Sequence, residues 1–547
     1  MKDIILKHAL LNAQQYDGKA SIGSVLGKVL AENPALKKDV PKVKAEIEKT
    51  VEQVNSWSLE KQKKELAKLG DVSRPEKEQR VGLPLLDNAV KGKVVMRMAP
   101  NPNGPLHIGH VRPALLNDEY VKMYKGKFIL RFDDTDPKGK RPMKEAYDWI
   151  RESLQWLGVK IHKETKASER LPVYYRYFEK LLEMGKAYIC NCNPVHWREL
   201  KARGEACPCR DLSESSAGER WKEMLKDAEE GSMVARVKTD INHPDPAARD
   251  FAAFRIIDEP NHPVTKNKYR VWPMLDFASA IDDHEFGVTH IIRGVDLMIS
   301  EIRQKFVYDY FGWNYPVTRT NGKLLVEGAV LSKSKILEGI RSGMYSGWDD
   351  PRLPTLSALK RRGFSAEAIR DYIVEVGANP INVILDWKAL ESHNRKVIDK
   401  DSNRYFFVAE PVEITLSKVP MKSAKAPLYP GKRKYRRIPV GKKLVVDRID
   451  FVANRGRETR LMHLCNVKLD KAAKFTGKSV KDIPKIHWLD GKTLKAKLVM
   501  PDGKVVSGLA EINLKKAKAG ETVQLERIGF ARVDSNKKKL VMYYAHR

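Results

Sequence analysis

Cysteine and long apolar runs are both scarce in this chain. It has 5 cysteines in 547 residues. Its hydrophobic residues make up 42% of the chain but are not gathered into long runs. No apolar run approaches the roughly 20 residues that a membrane-spanning helix requires, which excludes a helical membrane protein. We also find no internal repeat, low-complexity tract or targeting segment. The chain is therefore expected to be cytoplasmic, where thiols stay reduced and disulfide scaffolds are rare.

Acidic residues are in deficit, and the deficit is uneven. The chain has 101 Lys and Arg against 70 Asp and Glu, a net charge of +31. Residues 401–547 contain 34 Lys and Arg against 14 Asp and Glu, so +20 of this charge lies in the last quarter. A surface of ion pairs would mix both signs. The excess favours a polyanionic partner such as a nucleic-acid backbone. A basic surface that serves solubility is the alternative.

The most informative segment reads RMAPNPNGPLHIGH. Lys93–Met98 alternates like a strand, and prolines and glycine then break the pattern. Apolar residues at helical spacing follow, which predicts a helix opening at His107. A helix N-terminus after a strand offers free N–H groups to an anion. His107 and His110 share one face of the first turn, and Gly109 lets a ligand approach the backbone. These residues can bind phosphates without the lysine of a Walker motif.

A second basic element, Val330–Ser334, follows the strand-like Lys323–Val326 and the hinge-like Glu327–Ala329. On a mobile loop, Lys333 would stabilise charge on a transferring phosphoryl group. Taken alone, the segment would be a solvated basic turn.

Together, these two elements resemble the two signatures of the class I aminoacyl-tRNA synthetases. His107–His110 is similar to the HIGH motif, and Val330–Ser334 to the KMSKS loop, from which Val330 and Leu331 depart. The resemblance implies a Rossmann-type α/β catalytic core that uses ATP with Mg²⁺, with His107, His110 and Lys333 as catalytic residues. It also implies ATP contacts at Pro100, Gly109, Leu331, Ser332 and Ser334.

The segments around the first motif are similar to the glutamyl/glutaminyl subfamily, which has R-x-A-P-x-P-x-G before it and FDDTDP after it. An amino acid offers one cation and at least one anion, so its pocket needs an acid and an arginine. The resemblance assigns Arg97 to a carboxylate or amide of the substrate and Asp133 to its ammonium group. The implied substrate-binding residues are Arg97, Ala99, Asn101, Asp133, Leu275, Ser279 and Arg293.

The choice between glutamate and glutamine as the expected substrate depends on Arg293. In glutamyl enzymes an arginine at this position pairs with the side-chain carboxylate, whereas glutaminyl enzymes carry an uncharged residue. Glutamine would leave a guanidinium without a counter-charge in a dry pocket, which is costly. The expected reaction is ATP-dependent attachment of L-glutamate to the 3′ end of tRNA(Glu) through a glutamyl-adenylate. Leu275 stands where the family usually has tyrosine, and an ordinary surface arginine is the alternative for Arg293.

Four of the five cysteines form two close pairs with 14 residues between the pairs. Two pairs joined by a short loop suit a tetrahedral Cys₄ zinc site. Reduced thiols without a metal are the alternative. In the glutamyl/glutaminyl subfamily that the chain resembles, the same segment carries a structural zinc knuckle. The resemblance implies Cys190, Cys192, Cys207 and Cys209 as the ligands here. Cys465 is expected to pack in a core, and His196 to lie on the surface.

The last quarter is expected to be β. Short runs of branched and aromatic residues are separated by turn signals, and Asp490–Gly491 and Asp502–Gly503 predict hairpins. Such a pattern favours β-barrels, which the resemblance links to anticodon binding in glutaminyl and archaeal-type glutamyl enzymes. Tyr435, Arg436 and Arg437 are candidate RNA contacts, most simply with phosphates. The runs are Arg404–Val408, Val412–Leu416, Lys443–Val446, Ala496–Met500 and Val523–Ile528.

Two further regions of the sequence are expected to be helical. Leu26–Leu30 and Val43–Leu69 have helical spacing, and Ser365 and Gly377 should cap a helix over Ala366–Val376. The expected domains are an N-terminal helical appendage (1–92), catalytic half 1 (93–186), an acceptor-binding insertion with the zinc knuckle (187–272), catalytic half 2 (273–335), a helical stem-contact segment (336–397) and a β-barrel anticodon-binding domain (398–547).

The sequence is also compatible with three alternative functions. A glutaminyl-tRNA synthetase would share the fold, and Arg293 argues against it. A small-molecule nucleotidyltransferase shares the HxGH turn but does not need a basic C-terminal β domain. A non-catalytic tRNA-binding paralogue would lack the intact motifs. The expected partners are tRNA(Glu), L-glutamate and ATP, with tRNA(Gln) left open as a second substrate and the chain acting as a monomer.

Overall fold

The computed structural model describes residues 2–15, 18–69, 82–429, 434–536 and 539–547. The chain divides into two compact units, Met1–Val81 and Gly82–Arg547. Among the described residues, no helix is both long enough and apolar enough to cross a membrane.

The first unit is a bundle of helices around a small apolar core that includes Ile5, Val25 and Ile47. The predicted helical stretch Val43–Leu69 is two helices, because the Ser58 side chain accepts a hydrogen bond from the Lys61 N–H and caps a new helix. The first helix was not predicted. The helices are α1 (Lys2–Gln15), α2 (Ile22–Glu32), α3 (Val40–Asn55) and α4 (Leu59–Lys68).

The second unit begins with three parallel strands in the order β1-β2-β3. Five of the six residues of β2 are buried, as expected for a parallel strand covered on both faces. The elements in chain order are β1 (Val95–Met98), α5 (Ile108–Met123), β2 (Lys127–Phe132), α6 (Lys144–Trp156), β3 (Lys163–Lys166) and α7 (Leu171–Glu183).

An antiparallel sheet of four strands, β4-β5-β6-β7, follows and carries the cysteine pairs at one end. Its elements are β4 (Ala187–Cys190), α8 (Pro194–Arg203), α9 (Glu214–Lys226), β5 (Val234–Val237), β6 (Ala252–Ile256) and β7 (Val271–Pro273).

The chain then returns beside the first sheet, where β8 and β9 form a separate parallel pair. The Thr289 N–H donates to the Val95 carbonyl oxygen, and the Val95 N–H donates to Thr289 Oγ1, so β8 starts beside β1. Ile292 of β8 packs in the same core as Met96 of β1. Loops after β1 and β8 therefore meet at one sheet edge, where α/β folds bind ligands. The elements are α10 (Leu275–Glu285), β8 (His290–Gly294), α11 (Met298–Phe311), β9 (Val317–Asn321), β10 (Leu324–Leu325) and α12 (Lys333–Arg341).

A helical segment follows, and its predicted caps are confirmed. The Ser365 side chain accepts from the Ala368 N–H, and Gly377 ends the helix with φ +71°. Asp350 is buried and accepts hydrogen bonds from Arg352 and Ser346, which is a structural role. The elements are α13 (Leu356–Arg362), α14 (Ala366–Val376), β11 (Val383–Ile384) and α15 (Trp387–Ile398).

The C-terminal region forms two barrel-like seven-stranded sheets, in the orders β12-β25-β26-β27-β23-β24-β13 and β21-β18-β19-β20-β14-β17-β22, and a β15-β16 ribbon. The elements are β12 (Asn403–Tyr405), β13 (Phe407–Val408), β14 (Pro411–Leu416), β15 (Ser423–Pro427), β16 (Tyr435–Pro439), β17 (Lys443–Asp447), α16 (Arg448–Asn454), β18 (Glu458–Leu461), β19 (Cys465–Lys468), β20 (Ala472–Gly477), β21 (Lys485–Ile486), β22 (Leu489–Asp490), β23 (Thr493–Val499), β24 (Val505–Glu511), β25 (Thr522–Leu525), β26 (Gly529–Ser535) and β27 (Leu540–His546).

One of the two predicted hairpins is confirmed and the other is wrong. Strands β23 and β24 pair antiparallel around Asp502–Gly503, where Gly503 has φ +84°. Asp490–Gly491 joins no hairpin, because β22 pairs with β17 in one large sheet while β23 pairs with β24 and β27 in the other. The Asp490 side chain instead accepts a hydrogen bond from the Lys492 N–H where the chain passes between the sheets.

Candidate active site

The turn before α5 is held by its two histidines. The Gly109 N–H donates to His107 Nδ1 at 3.1 Å, and the His107 N–H donates to His110 Nδ1 at 3.2 Å. His107 is thus the N-cap of α5, which confirms that the helix opens here. Because both Nδ1 atoms accept, each neutral ring carries its proton on Nε2. The turn therefore has two side-chain N–H donors beside the helix N-terminus.

Both imidazoles are neutral at physiological pH. Burial, with a contribution from Lys333, lowers the pKa of His107 to about 3. Burial, together with His107 and Lys333, lowers the pKa of His110 well below its ordinary value. The histidines can therefore stabilise an anion as hydrogen-bond donors, whereas the positive charge nearby belongs to Lys333.

Lys333 lies against the loop that precedes the histidines. It is the first residue of α12, which Ser332 caps. Its Nζ donates to the carbonyl oxygens of Asn101 and Gly104, both at 3.1 Å, across more than 200 residues of sequence. Burial, with a smaller effect from Lys140, lowers the pKa of Lys333 to about 7. The structure thus brings the two sequence motifs together.

Two glycines make this close packing possible. A Cβ on Gly104, whose φ is +148°, would lie 3.0 Å from the Trp348 ring and 3.3 Å from the Lys333 side chain. A Cβ on Gly109 would lie 2.9 Å from the His107 ring. The loop backbone could not come this near the lysine or the imidazole with a larger residue at either position.

The other expected ATP contacts surround this turn with different exposures. Pro100 is buried, and its carbonyl oxygen accepts from the Asp133 N–H. Leu331 is half-buried and packs on the catalytic core, whereas Ser332 and Ser334 are exposed.

Arg97 has a partner that sequence reasoning missed. Its Nε and Nη2 donate to the two carboxylate oxygens of Asp283 at 2.9 and 3.0 Å. Within the described residues only Nη1 makes no hydrogen bond, so this is the guanidinium nitrogen that remains for the expected contact with a substrate. Ala99, two residues further on, is half-buried. Asp283 lies 186 residues away, and no local pattern points to it.

Asp133 is also partly engaged. Its Oδ1 accepts from Arg131 Nη1 at 2.9 Å, and its carbonyl oxygen accepts from Asn101 Nδ2. Arg131 pairs with Asp282 as well, and Asp282 in turn accepts from Arg170. One carboxylate oxygen of Asp133 remains free of these contacts.

Arg293 is buried, with 5% of its surface exposed, so it is not an ordinary surface arginine. Its Nη2 donates to Gln304 Oε1 at 2.6 Å and to the Tyr315 hydroxyl at 2.8 Å, and its Nη1 donates to the Leu297 carbonyl oxygen at 3.3 Å. No carboxylate of the described residues forms an ion pair with it. Burial, with the neighbouring charge of Arg97, lowers the pKa of Arg293.

The remaining expected residues lie on α10, and Ser279 contacts Gln304, which is a partner of Arg293. Ser279 is buried, donates to the Leu275 carbonyl oxygen and accepts from Gln304 Nε2 at 2.6 Å. The Leu275 side chain is 37% exposed at the start of the helix. Gln304 and Tyr315 were missed, because a glutamine in an amphipathic helix looks like any surface residue.

The guanidiniums in this region differ in their partners. Arg97, Arg131 and Arg170 form ion pairs with three carboxylates. Arg293 has no ion-pair partner among the described residues, so its positive charge is not compensated by a direct contact. A ligand with net charge −1 would neutralise it. The three carboxylates are Asp133, Asp282 and Asp283.

Comparison with known proteins identifies the family. The model described as "tRNA synthetases class I (E and Q), catalytic domain" matches residues 93–400. The chain belongs to this class I synthetase family. Two models for the anticodon-binding domains of the same synthetases match residues 402–486 and 485–534.

Relatives of this synthetase match over its whole length. The glutamate–tRNA ligase of Pyrococcus furiosus is 47% identical, with all of both chains covered. The glutamate–tRNA ligases of Archaeoglobus fulgidus and Methanothermobacter marburgensis are 45% and 42% identical, again with all of both chains covered.

The synthetase also has a candidate metal centre at one end of the four-stranded antiparallel sheet. The four Sγ atoms lie within 4.8 Å of one another, with individual pairs at 3.9 and 3.6 Å. A tetrahedron with Zn–S bonds of about 2.3 Å has sulfur–sulfur edges of about 3.8 Å. The cysteines therefore fit the geometry of a Cys₄ zinc site. As predicted, His196 is exposed and Cys465 is buried in the C-terminal core.

One predicted RNA contact of the synthetase is wrong. Arg436 is buried, and its guanidinium donates to Glu511 and Glu526. Its neighbours Tyr435 and Arg437 are exposed, because successive side chains of β16 point to opposite faces. The period-2 pattern could have shown that Arg436 and its neighbours lie on different faces.

Proposed function

We propose that this synthetase attaches L-glutamate to the 3′ end of tRNA(Glu), with ATP as the energy source and a glutamyl-adenylate as intermediate. The full-length similarity to glutamate–tRNA ligases supports this function. The observation that carries the choice of amino acid is Arg293, a buried guanidinium whose described partners are all uncharged.

The side-chain carboxylate of glutamate would bind Arg293. A buried cation that lacks a counter-ion is costly, and a carboxylate ligand relieves that cost. Glutamine presents a neutral amide and would leave the cation uncompensated. The unpaired charge of Arg293 therefore suits the ionised side chain of glutamate better than the neutral side chain of glutamine.

The backbone groups of glutamate would use the neighbouring residues. The free carboxylate oxygen of Asp133 would accept from the substrate ammonium, and Arg97 Nη1, fixed by the pairing with Asp283, would donate to a substrate oxygen. Ala99, Asn101, Leu275 and Ser279 would line this pocket.

ATP would lie over the turn before α5. The Nε2–H groups of His107 and His110 would donate hydrogen bonds to its phosphates. The Lys333 ammonium would leave the two loop carbonyl oxygens and bind the same phosphates. Mg²⁺ bound to the nucleotide would neutralise further phosphate charge. The α-carboxylate of glutamate attacks the α-phosphorus and pyrophosphate leaves. This nucleophile is already ionised, so no general base is needed.

The second step transfers the glutamyl group to RNA. The 2′-hydroxyl of the terminal tRNA ribose attacks the carbonyl carbon of the adenylate, loses its proton and releases AMP. The +20 charge of residues 401–547 supports contact with the tRNA backbone. Whether tRNA(Gln) is also charged depends on how the C-terminal sheets read the anticodon.

The cysteine cluster would hold a structural zinc ion through Cys190, Cys192, Cys207 and Cys209. Four thiolates complete the coordination sphere, so the metal has no open position for catalysis. Metal analysis of the purified protein tests this assignment, with one zinc ion per chain expected and none contradicting it.

The function itself is tested by charging unfractionated archaeal tRNA with labelled glutamate or labelled glutamine in the presence of ATP. Glutamate incorporation alone is expected, and repetition on purified tRNA(Gln) would define the tRNA range. Glutamine incorporation would overturn the role given to Arg293. Binding of tRNA without charging by either amino acid would instead indicate a non-catalytic paralogue.

A further inference from the structure

Gln304 is the residue that contacts both sides of the proposed side-chain pocket. Its Oε1 accepts from Arg293 Nη2 and from the Tyr315 hydroxyl, both at 2.6 Å. Its Nε2 donates to Ser279 Oγ at 2.6 Å. The side chain is 1% exposed. One amide thus connects α11 to β8, to the segment before β9 and to α10.

The orientation of this amide is fixed by chemistry. Turning the amide over would point an NH₂ group at the Arg293 guanidinium, which has donors only. It would also remove the acceptor that Arg293 and Tyr315 now share. The Tyr315 hydroxyl completes the arrangement, because it accepts from Arg293 Nη2 and donates to Gln304. Arg293 is therefore held in place by two neutral groups.

The important property of the Gln304 amide and the Tyr315 hydroxyl is that both are neutral. Elsewhere in the same region buried guanidiniums are held by carboxylates, as Arg97 is by Asp283 and Arg131 by Asp282. A glutamate at position 304 would have nearly the same shape as glutamine and would pair with Arg293 in the same way. Its charge, however, would satisfy the guanidinium from within the protein.

We propose that Gln304 is a specificity-determining residue, which positions Arg293 without neutralising it and so keeps one buried positive charge for an anionic substrate side chain. This inference rests on the proposed function. It names a residue that acts through Arg293 and does not itself touch the substrate.

The test compares three variants by steady-state charging of tRNA with glutamate and with glutamine. Gln304→Glu supplies an internal counter-charge with little change in volume. Gln304→Met removes the hydrogen bonds but adds no charge. Gln155→Glu makes the same charge change on the exposed face of α6 and serves as the matched control.

For Gln304→Glu we expect KM for glutamate to rise and the glutamate-to-glutamine ratio of kcat/KM to fall, roughly 10- to 100-fold. Gln304→Met should raise KM for glutamate but keep the preference over glutamine. KM for ATP and the affinity for tRNA should change little in either variant. Gln155→Glu should behave like the wild type.

Two results would overturn the proposal. Equal losses with both amino acids in Gln304→Glu and Gln304→Met would mean that the residue only supports the fold. An unchanged glutamate preference in Gln304→Glu would mean that its charge is irrelevant. Failure of the wild type to charge glutamate would instead reject the proposed function, so the two failures are distinguishable.

Discussion

Arg293, at the edge of the catalytic sheet, and Arg436, in the C-terminal sheets, are both at least 95% buried but have opposite surroundings. Arg436 donates to two carboxylates, Glu511 and Glu526. Arg293 donates to an amide, a phenol and a backbone carbonyl. The protein thus neutralises one buried guanidinium internally and leaves the other positive.

This difference separates an arginine with a structural role from an arginine proposed to bind a ligand. A buried ion pair is neutral as a unit, and removing one partner strands the other charge. A buried cation without a counter-ion is instead maintained at a cost in folding free energy, which an anionic ligand would relieve. Burial alone would have grouped the two arginines together, whereas the charge of their partners distinguishes them.

The largest expected effect is on stability, in Arg436→Met. This change would leave Glu511, 1% exposed, without its ion-pair partner, and such a loss costs about 3–5 kcal/mol. We expect a clearly lower unfolding temperature and, in the protein that remains folded, an unchanged KM for glutamate. Arg436→Lys, which keeps a cation, should lose less. Wild-type thermal stability in Arg436→Met would contradict the structural role.

The next effect is on catalysis, in Arg293→Met. Loss of the charge partner for the substrate carboxylate should lower kcat/KM for glutamate by an amount equivalent to about 2–5 kcal/mol. Stability should stay the same or rise, because an unpaired buried charge is removed. Charging assays and thermal unfolding on the same preparation check both parts. If stability fell as in Arg436→Met while glutamate kinetics stayed normal, the comparison would be reversed.

Local features of both regions could be predicted from the sequence. The start of α5 at His107, the helix between Ser365 and Gly377 and the hairpin at Asp502–Gly503 each depend on a few neighbouring residues. Asp490–Gly491 has the same turn chemistry but lies between two sheets. Its failure shows that a turn signal cannot determine which strands pair, because pairing depends on distant residues.

The partners of the buried charges could not be predicted in this way. The Arg97–Asp283 pair joins residues 186 positions apart, and Arg436–Glu511 joins residues 75 positions apart. Resemblance to a family pointed to Arg293 and Lys333, but it did not point to Gln304, which gives Arg293 its neutral support. Only the fold brings such residues together.

A smaller effect concerns the pH dependence of Lys333, a cation beside the turn before α5. Its pKa of about 7 means that the free enzyme loses this charge as pH rises above 7. We expect kcat/KM for ATP to fall above that pH by roughly tenfold per unit. In Lys333→Arg the guanidinium stays charged, so this decline should disappear even if overall activity is lower. The same decline in both proteins would assign it to another group.

The lowered pKa of Lys333 also links to stability. The unfolded chain binds this proton more tightly than the folded chain between pH 7 and the ordinary lysine value of 10.5. The free energy of unfolding should therefore rise with pH across that window. Lys333→Met, which has no proton to lose, should show a smaller rise, and an equal rise would contradict the assigned burial of the ammonium.

The smallest effect concerns Arg437, the exposed neighbour of Arg436 on β16. An exposed arginine in a basic surface is one contact among many, so Arg437→Ala should weaken tRNA binding slightly and leave folding unaffected. If the residue contacts a phosphate, the slope of log affinity against log salt should decrease by about 1. An unchanged slope would remove Arg437 from the RNA surface. A changed slope beside wild-type stability would show that adjacent arginines on one strand divide between binding and folding according to the face they occupy.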